Sequence, residues 1–155
     1  IDLGSGPGTH ALYFYQKGLD VLCVDFSEEM LKKCASKGIK VLLADIENFR
    51  MPSKTVDGVW AHTSLLHIKK ERIPHVLQNI PTMLKPRGIF SLSVKEGEGE
   101  GLTESDETPG AKRWYTLFTE EEMRHLLSSG FEIISQSKTV TPGRTFLNFL
   151  VRKKF

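Results

Sequence analysis

Near the start of the chain, Asp2, Gly4, Gly6 and Gly8 form the pattern Asp-x-Gly-x-Gly-x-Gly. Alternate glycines let the backbone turn sharply and let a ligand lie directly on the main chain. If a helix begins after Gly8, its first N–H groups and positive dipole end face that ligand. A second carboxylate, Asp25, closes the next apolar run, DVLCVD from Asp20 to Asp25. At the tip of a second strand, a carboxylate can accept hydrogen bonds from both hydroxyls of a ribose. A glycine loop alone is a weak signal. With one acid before it and another a strand later, a nucleoside-containing ligand becomes the expectation.

These groups work only if regular elements hold them. Leu3 is expected to end a short strand and Gly4 to Gly8 to form a tight loop, with a helix from Thr9 to Lys17 stopped by Gly18. On that helix Ala11, Leu12, Phe14 and Tyr15 form the apolar side. Asp20 to Asp25 has strand length, and Ser27 with Glu28 and Glu29 starts a helix that stops at Gly38. Further strands are expected over Ile39 to Ala44, Asp57 to Ala61 and Ile89 to Val94. A helix is expected over Glu71 to Leu84, kinked at Pro81, and Lys85 to Gly88 reads as a turn. Glu96 to Pro109 is rich in acids (Glu96, Glu98, Glu100, Glu104, Asp106, Glu107) and glycines, and reads as a flexible loop. Thr119 and Glu122 form a capping box for a helix to Ser129. Phe131 to Val140 and Arg144 to Arg152 are two strands joined by Thr141-Pro142-Gly143, hence antiparallel neighbours. Buried strands alternating with helices give an α/β doubly wound, Rossmann-like sheet.

Composition narrows the class. The 155 residues suit a single domain. A net charge of +2 gives no support to a non-specific nucleic-acid coat, although Arg152, Lys153 and Lys154 make a small basic tail. Hydrophobic residues at 39% argue for a packed core over disorder. Two cysteines, Cys23 and Cys34, are too few for a disulfide scaffold and lack metal-ligand spacing, so no metal is expected. No apolar run has membrane-helix length and no signal peptide is visible, so a cytoplasmic protein without a membrane partner is expected. The glycine turn follows only three strand-like residues, which suggests a single domain, 1–155, lacking its N-terminal helix.

At this point the chain resembles the class I S-adenosylmethionine-dependent methyltransferases. The matching stretches are IDLGSGPG (Ile1 to Gly8), VDFSEEML (Val24 to Leu31), ADIENF (Ala44 to Phe49), DGVWAHTSLLHI (Asp57 to Ile68), LKPRG (Leu84 to Gly88) and FTEEEMRHLLSSGFE (Phe118 to Glu132). The resemblance implies seven strands in the order 3-2-1-4-5-7-6 with strand 7 antiparallel, and S-adenosyl-L-methionine as cofactor. It implies that Gly4, Ser5, Gly6 and Gly8 cradle the methionine part and that Asp2 reaches its amino group. Asp25 would grip the ribose and Phe26 lie on the adenine. Asp45 and Ile46 would meet the adenine edge, and Ala61 and His62 would lie under the methionine chain. His67 and Ile68 would lie towards the acceptor.

Plainer roles stand beside these. Phe26 is either an adenine wall or core. Asp45 is either an adenine partner or a turn former. His67 is either a capping and packing residue or the catalytic proton acceptor. His62 reads as a pocket wall. Methyl transfer from a sulfonium needs alignment and exclusion of water, and a general base only for a protic acceptor. The segments leaving the strand ends beside the cofactor are His62 to Ile68 and Lys95 to Tyr115. Lys95, Trp114 and Tyr115 are therefore candidate acceptor contacts, with the glycine-rich stretch between them as a lid.

A small-molecule acceptor is the expectation, with tRNA or protein as the alternative acceptor and a non-catalytic cofactor-binding relative as the alternative class. A nicotinamide oxidoreductase is disfavoured by Asp2, by the GxGxG spacing and by the final antiparallel pair.

Overall fold

The computed structural model describes residues 1–105 and 108–154. Short strands and helices alternate from the start: β1 (Asp2–Leu3), α1 (Thr9–Gln16), β2 (Leu22–Asp25), α2 (Glu28–Ala35) and β3 (Lys40–Leu43). Next come β4 (Val56–His62), two 3₁₀ turns (Leu65–His67 and Lys70–Arg72), α3 (Ile73–Met83) and β5 (Leu84–Lys95). The chain then forms β6 (Glu100–Glu104), β7 (Lys112–Thr116), α4 (Glu120–Ser128), β8 (Phe131–Thr141) and β9 (Arg144–Lys153).

Seven strands make one sheet in the order β3-β2-β1-β4-β5-β9-β8. The pairs from β3 to β5 are parallel, and β9 runs antiparallel to both β5 and β8. This is the expected 3-2-1-4-5-7-6 arrangement with its antiparallel last strand, because β6 and β7 stand outside the sheet as a separate two-stranded unit. Parallel order puts the carboxyl ends of β1, β2 and β4 at one edge, where the glycine loop leaves β1.

Alternation along each strand divides the core. Val59 and Ala61 of β4, Phe90, Leu92 and Val94 of β5, and Leu147, Phe149 and Val151 of β9 pack with α3 and α4 in one large cluster. On the other face Cys23 of β2 packs with Ala11, Leu31, Cys34 and Ile39 beneath α1 and α2. At roughly 25 cal/mol per Å² of apolar area, the larger cluster is the main source of stability.

Helix starts follow local chemistry. Ser27 Oγ accepts from Met30 N–H at 3.4 Å, and Glu28 and Glu29 occupy the first turn of α2. The capping box at α4 is complete: Glu122 N–H donates to Thr119 Oγ1 (3.1 Å), and Thr119 N–H donates to Glu122 Oε2 (2.8 Å).

Three expectations are corrected. Lys85 to Gly88 is not a turn between elements but an irregular insert within β5. There Val56 pairs with Leu84 and Gly58 with Ile89, and Arg87 takes a φ of 62°. Tyr15 is exposed rather than apolar-side, because α1 buries only the narrow stripe led by Ala11. The segment expected as a flexible loop, Glu96 to Pro109, contains β6, which pairs with β7 beyond it, Leu102 with Trp114 and Gly101 with Tyr115. Two acids of that expectation, Asp106 and Glu107, lie outside the described residues.

Candidate functional site

The loop after β1 is bent by its glycines. Gly4, Gly6 and Gly8 have φ of 76°, 52° and 79°, in the region that favours residues without a Cβ. Gly4 and Ser5 N–H both donate to Val24 O, at 2.7 and 3.1 Å. Two of the glycines are also wedged from behind. A Cβ on Gly4 would meet Ser64 Cβ at 2.3 Å, and one on Gly8 would meet Cys34 Sγ at 2.7 Å. Lys37 Nζ donates to Pro7 O on the outside of the same loop.

Asp25, at the end of β2, clamps the loop. Its Oδ2 accepts from Gly6 N–H (2.8 Å) and its Oδ1 from Ser27 N–H (2.9 Å). Each oxygen keeps lone-pair capacity for a ligand donor. Asp2 differs. It is 3% exposed, and its Oδ2 has no hydrogen-bond partner. Burial pushes its carboxyl up to about 6, partly countered by a hydrogen bond from Ala11 N–H. An orphaned buried oxygen beside a backbone cradle suits a positively charged donor such as a ligand ammonium.

These groups line a cleft of about 730 Å³, within the usual size for a small-molecule site. Asp2, Gly4, Ser5, Gly6, Asp25, Phe26, Asp45 and Ile46 line one end of it. Phe26 is 78% exposed, which takes it out of the core and leaves its ring on the rim. Asp45 does form a turn, accepting from Glu47 N–H at 3.0 Å, and still faces the cleft. Gly8 and Ala61 are not lining residues; Gly8 packs on Cys34, and Ala61 is buried in the main core.

The other end is formed by residues 62–68 and β7. The His62 ring stacks on Trp60 with centroids 3.6 Å apart and planes 5° apart. Its Nε2 lies 3.0 Å from Ser91 Oγ. Burial, then the neighbouring His10, lowers its pKa to about 4, so the ring is neutral at neutral pH. Thr63 turns the chain with a φ of 56°, donating its N–H to Ser93 O, and Ser64 Oγ then donates back to Leu3 O at 2.8 Å.

The β6–β7 hairpin is latched to the two 3₁₀ turns. His67 Nδ1 is 2.8 Å from Trp114 O, so this nitrogen carries the proton and donates. Thr116 Oγ1 donates to Ile68 O (2.6 Å) and accepts from Trp114 Nε1 (3.1 Å). Lys70 N–H donates to Glu100 Oε2 (2.7 Å), which holds the Glu100 carboxyl below its ordinary value.

Of the candidate acceptor contacts, His67 and Trp114 line the cleft and Lys95 and Tyr115 do not. Tyr115 is 7% exposed, with His67 tilted on its ring and Lys95 Nζ 3.8 Å from its centroid. Thr63 and Ser64 line the cleft within the expected segment His62 to Ile68, and His10, which on sequence reads as a surface residue of the first helix, lines it too.

A second cavity, of about 770 Å³, is lined by Ile1, Phe14, Leu19, Trp60, Ile89 and Leu150 among others, with no residue of the glycine loop. Its position away from the strand carboxyl ends separates it from the cleft. Among the described residues no helix is long and apolar enough to cross a membrane, and no His, Cys, Asp and Glu side chains are grouped as a metal site.

Residues 1–88 match the family described as "Methyltransferase domain". The chain is 25% identical over 121 residues to malonyl-[acyl-carrier protein] O-methyltransferase of Enterobacter lignolyticus, covering 74% of this chain and 47% of that protein. It thus spans about half the length of the curated relative it matches. Among solved structures, a methyltransferase of Methanosarcina mazei superposes with a TM-score of 0.86 at 17% identity, over 98% of this chain and 90% of that one. The 1,6-didemethyltoxoflavin-N1-methyltransferase of Burkholderia thailandensis, solved with 1,6-didemethyltoxoflavin and S-adenosylhomocysteine, gives 0.80 at 26% identity, over 99% and 70%.

Proposed function

The chain belongs to the class I S-adenosylmethionine-dependent methyltransferases, and from that premise we propose that it binds S-adenosylmethionine in the glycine-loop cleft and methylates a small-molecule acceptor. The observation that carries this reading is the orphaned Asp2 Oδ2 beside the cradle. S-adenosylmethionine, when bound, supplies an ammonium group for that oxygen and a methyl group already activated on a sulfonium.

The chain's own residues supply the rest. Gly4 to Gly6 offer backbone to the amino-acid part, and Asp25 offers its remaining lone pairs to the ribose. Phe26, Asp45 and Ile46 line the end where the adenine would lie. The neutral His62 ring sets neither a cation nor a carboxylate against the reacting centre. A carboxylate there would stabilise the ground state, whose positive charge is lost in the transition state.

His67 is the proposed proton acceptor. Its Nδ1 is held by Trp114 O, which positions the imidazole at the acceptor end of the cleft. Trp114 lines the same end and excludes water from it. A small-molecule acceptor is favoured over nucleic acid because the net charge of +2 provides no broad basic surface. Calorimetry tests the reading: S-adenosylhomocysteine is expected to bind and NAD not to. Binding of NAD with no binding of S-adenosylhomocysteine overturns it.

A further inference from the structure

Two residues that line the cleft from different elements, Trp114 of β7 and Ile68 after the first 3₁₀ turn, meet at one hydroxyl that does not line it. Thr116 is 0% exposed, and its Oγ1 donates to Ile68 O at 2.6 Å and accepts from Trp114 Nε1 at 3.1 Å. Successive strand residues point to opposite faces, so Trp114 and Thr116 share a face of the hairpin, in register with Leu102 and Glu100. Glu100 Oε2, held by Lys70 N–H at 2.7 Å, lies 3.1 Å from the same hydroxyl.

A hydroxyl has one proton to give. Ile68 O, the nearer acceptor, receives it, which leaves lone pairs on Oγ1 for the indole N–H. The bonds therefore run in one direction, from Trp114 Nε1–H to Thr116 Oγ1–H to Ile68 O. Nε1 is the indole's only polar atom, and the torsion that turns the ring is broad and soft. A bond at Nε1 therefore sets the plane of the ring, which Lys69 Nζ flanks at 5.4 Å from its centroid. A methyl group in place of the hydroxyl would fill the same space and leave the indole N–H without its acceptor.

We infer that Thr116 is a positioning residue for the acceptor end: without touching a ligand, it fixes the plane of the Trp114 wall and ties that wall to Ile68. This rests on the methyl-transfer reading and adds a residue that the cleft lining does not contain. The acceptor end then holds its shape before an acceptor arrives, so less order has to be imposed on binding.

The test reads the indole N–H signals of the full chain by proton–nitrogen NMR. The chain has two tryptophans, Trp60 and Trp114, and Trp114→Phe tells their signals apart. Among the described residues Trp60 Nε1 has no hydrogen-bond partner, so its signal is the internal control. Thr116→Val should shift the Trp114 signal and speed its exchange with water roughly tenfold or more, as loss of a protecting bond implies. The Trp60 signal should stay in place, and Thr116→Ser, which keeps the hydroxyl, should restore the Trp114 signal. Calorimetry should show S-adenosylhomocysteine binding equally to the wild type and both variants. Failure of the wild type to bind it breaks the methyl-transfer reading, while the indole signals still report on Thr116. If Thr116→Val fails to fold, the wild type and Thr116→Ser decide: a Trp114 N–H protected equally in both supports the proposal, and an unprotected one in either overturns it. A Trp114 signal that Thr116→Val leaves unmoved, one that Thr116→Ser fails to restore, or loss of S-adenosylhomocysteine binding in Thr116→Val overturns it too.

Discussion

The two ends of the cleft are built on different principles. The glycine-loop end is assembled from neighbours in sequence and in the sheet: a loop leaving β1, a carboxylate closing β2, and a helix starting behind each. The acceptor end is assembled across the fold, from a hairpin held to two 3₁₀ turns by hydrogen bonds such as Thr116 Oγ1 to Ile68 O, 48 residues apart. One end is fixed by backbone geometry and buried charge, the other by a latch. Damage to the first should cost stability and cofactor affinity together, whereas damage to the second should cost turnover alone.

The harshest break is Gly4→Ala. Its Cβ would collide with Ser64 Cβ, and a φ of 76° is unfavourable for alanine. Strain of about 1–2 kcal/mol and overpacking of about 1–3 kcal/mol should add in urea denaturation. Gly6→Ala has the strain without the clash, since nothing lies within 4 Å of its Cβ position. A Gly6 variant as damaged as the Gly4 variant would show that the wedge does not matter.

Asp25→Ala comes next. Loss of the carboxylate leaves the Gly6 and Ser27 N–H groups without their acceptors, at about 1–3 kcal/mol each when buried. Both the melting temperature and S-adenosylhomocysteine affinity should fall. A change in affinity at unaltered stability would mean that Asp25 only touches ligand.

Asp2 gives a pH signature. Its folded value of about 6 lies above the ordinary 3.8. Its contribution to the stability of the ligand-free fold is therefore complete below about 3.8 and lost as pH rises through about 6. A ligand ammonium favours the ionised form, so S-adenosylhomocysteine affinity should rise with pH through about 6, by roughly tenfold. Asp2→Asn should flatten that profile.

At the acceptor end, Trp114→Ala and His67→Gln should each lower kcat by roughly ten- to a hundredfold with S-adenosylhomocysteine affinity unchanged. Turnover that stays whole in both variants would move the acceptor elsewhere. The smallest effect is the control: Lys33→Ala breaks an exposed pair with Glu29 on α2 and should shift stability by less than about 0.5 kcal/mol.

The same contrast decides what could be read from the sequence. Asp2, the glycines, Asp25 and the capping box of α4 depend on spacings of a few residues, so their types and order carry the information. The hairpin Thr141–Arg144 was equally local. The β6–β7 hairpin was not legible, because glycines and acids interrupt the alternation that marks a strand, and its support comes from distant partners. Lys95 and Tyr115 were misplaced for the same reason. Position near a strand end suggests a lining residue, but their mutual cation–π contact turns them into support behind the wall. The insert inside β5 escaped because Pro86 and Gly88 carry turn chemistry that the sheet absorbs as an irregularity.

The thiol of Cys34 beneath Gly8 has a consequence for how such a chain can drift through mutation. Cys34 does not line the cleft, yet its Sγ fills the space a side chain at position 8 would need and donates to Gly6 O at 3.3 Å. A bulkier residue at 34 must lift the loop, and a smaller one leaves a hole under it. Positions 8 and 34 therefore constrain each other's substitutions, and the floor of the loop is inherited as a pair rather than as a lone glycine.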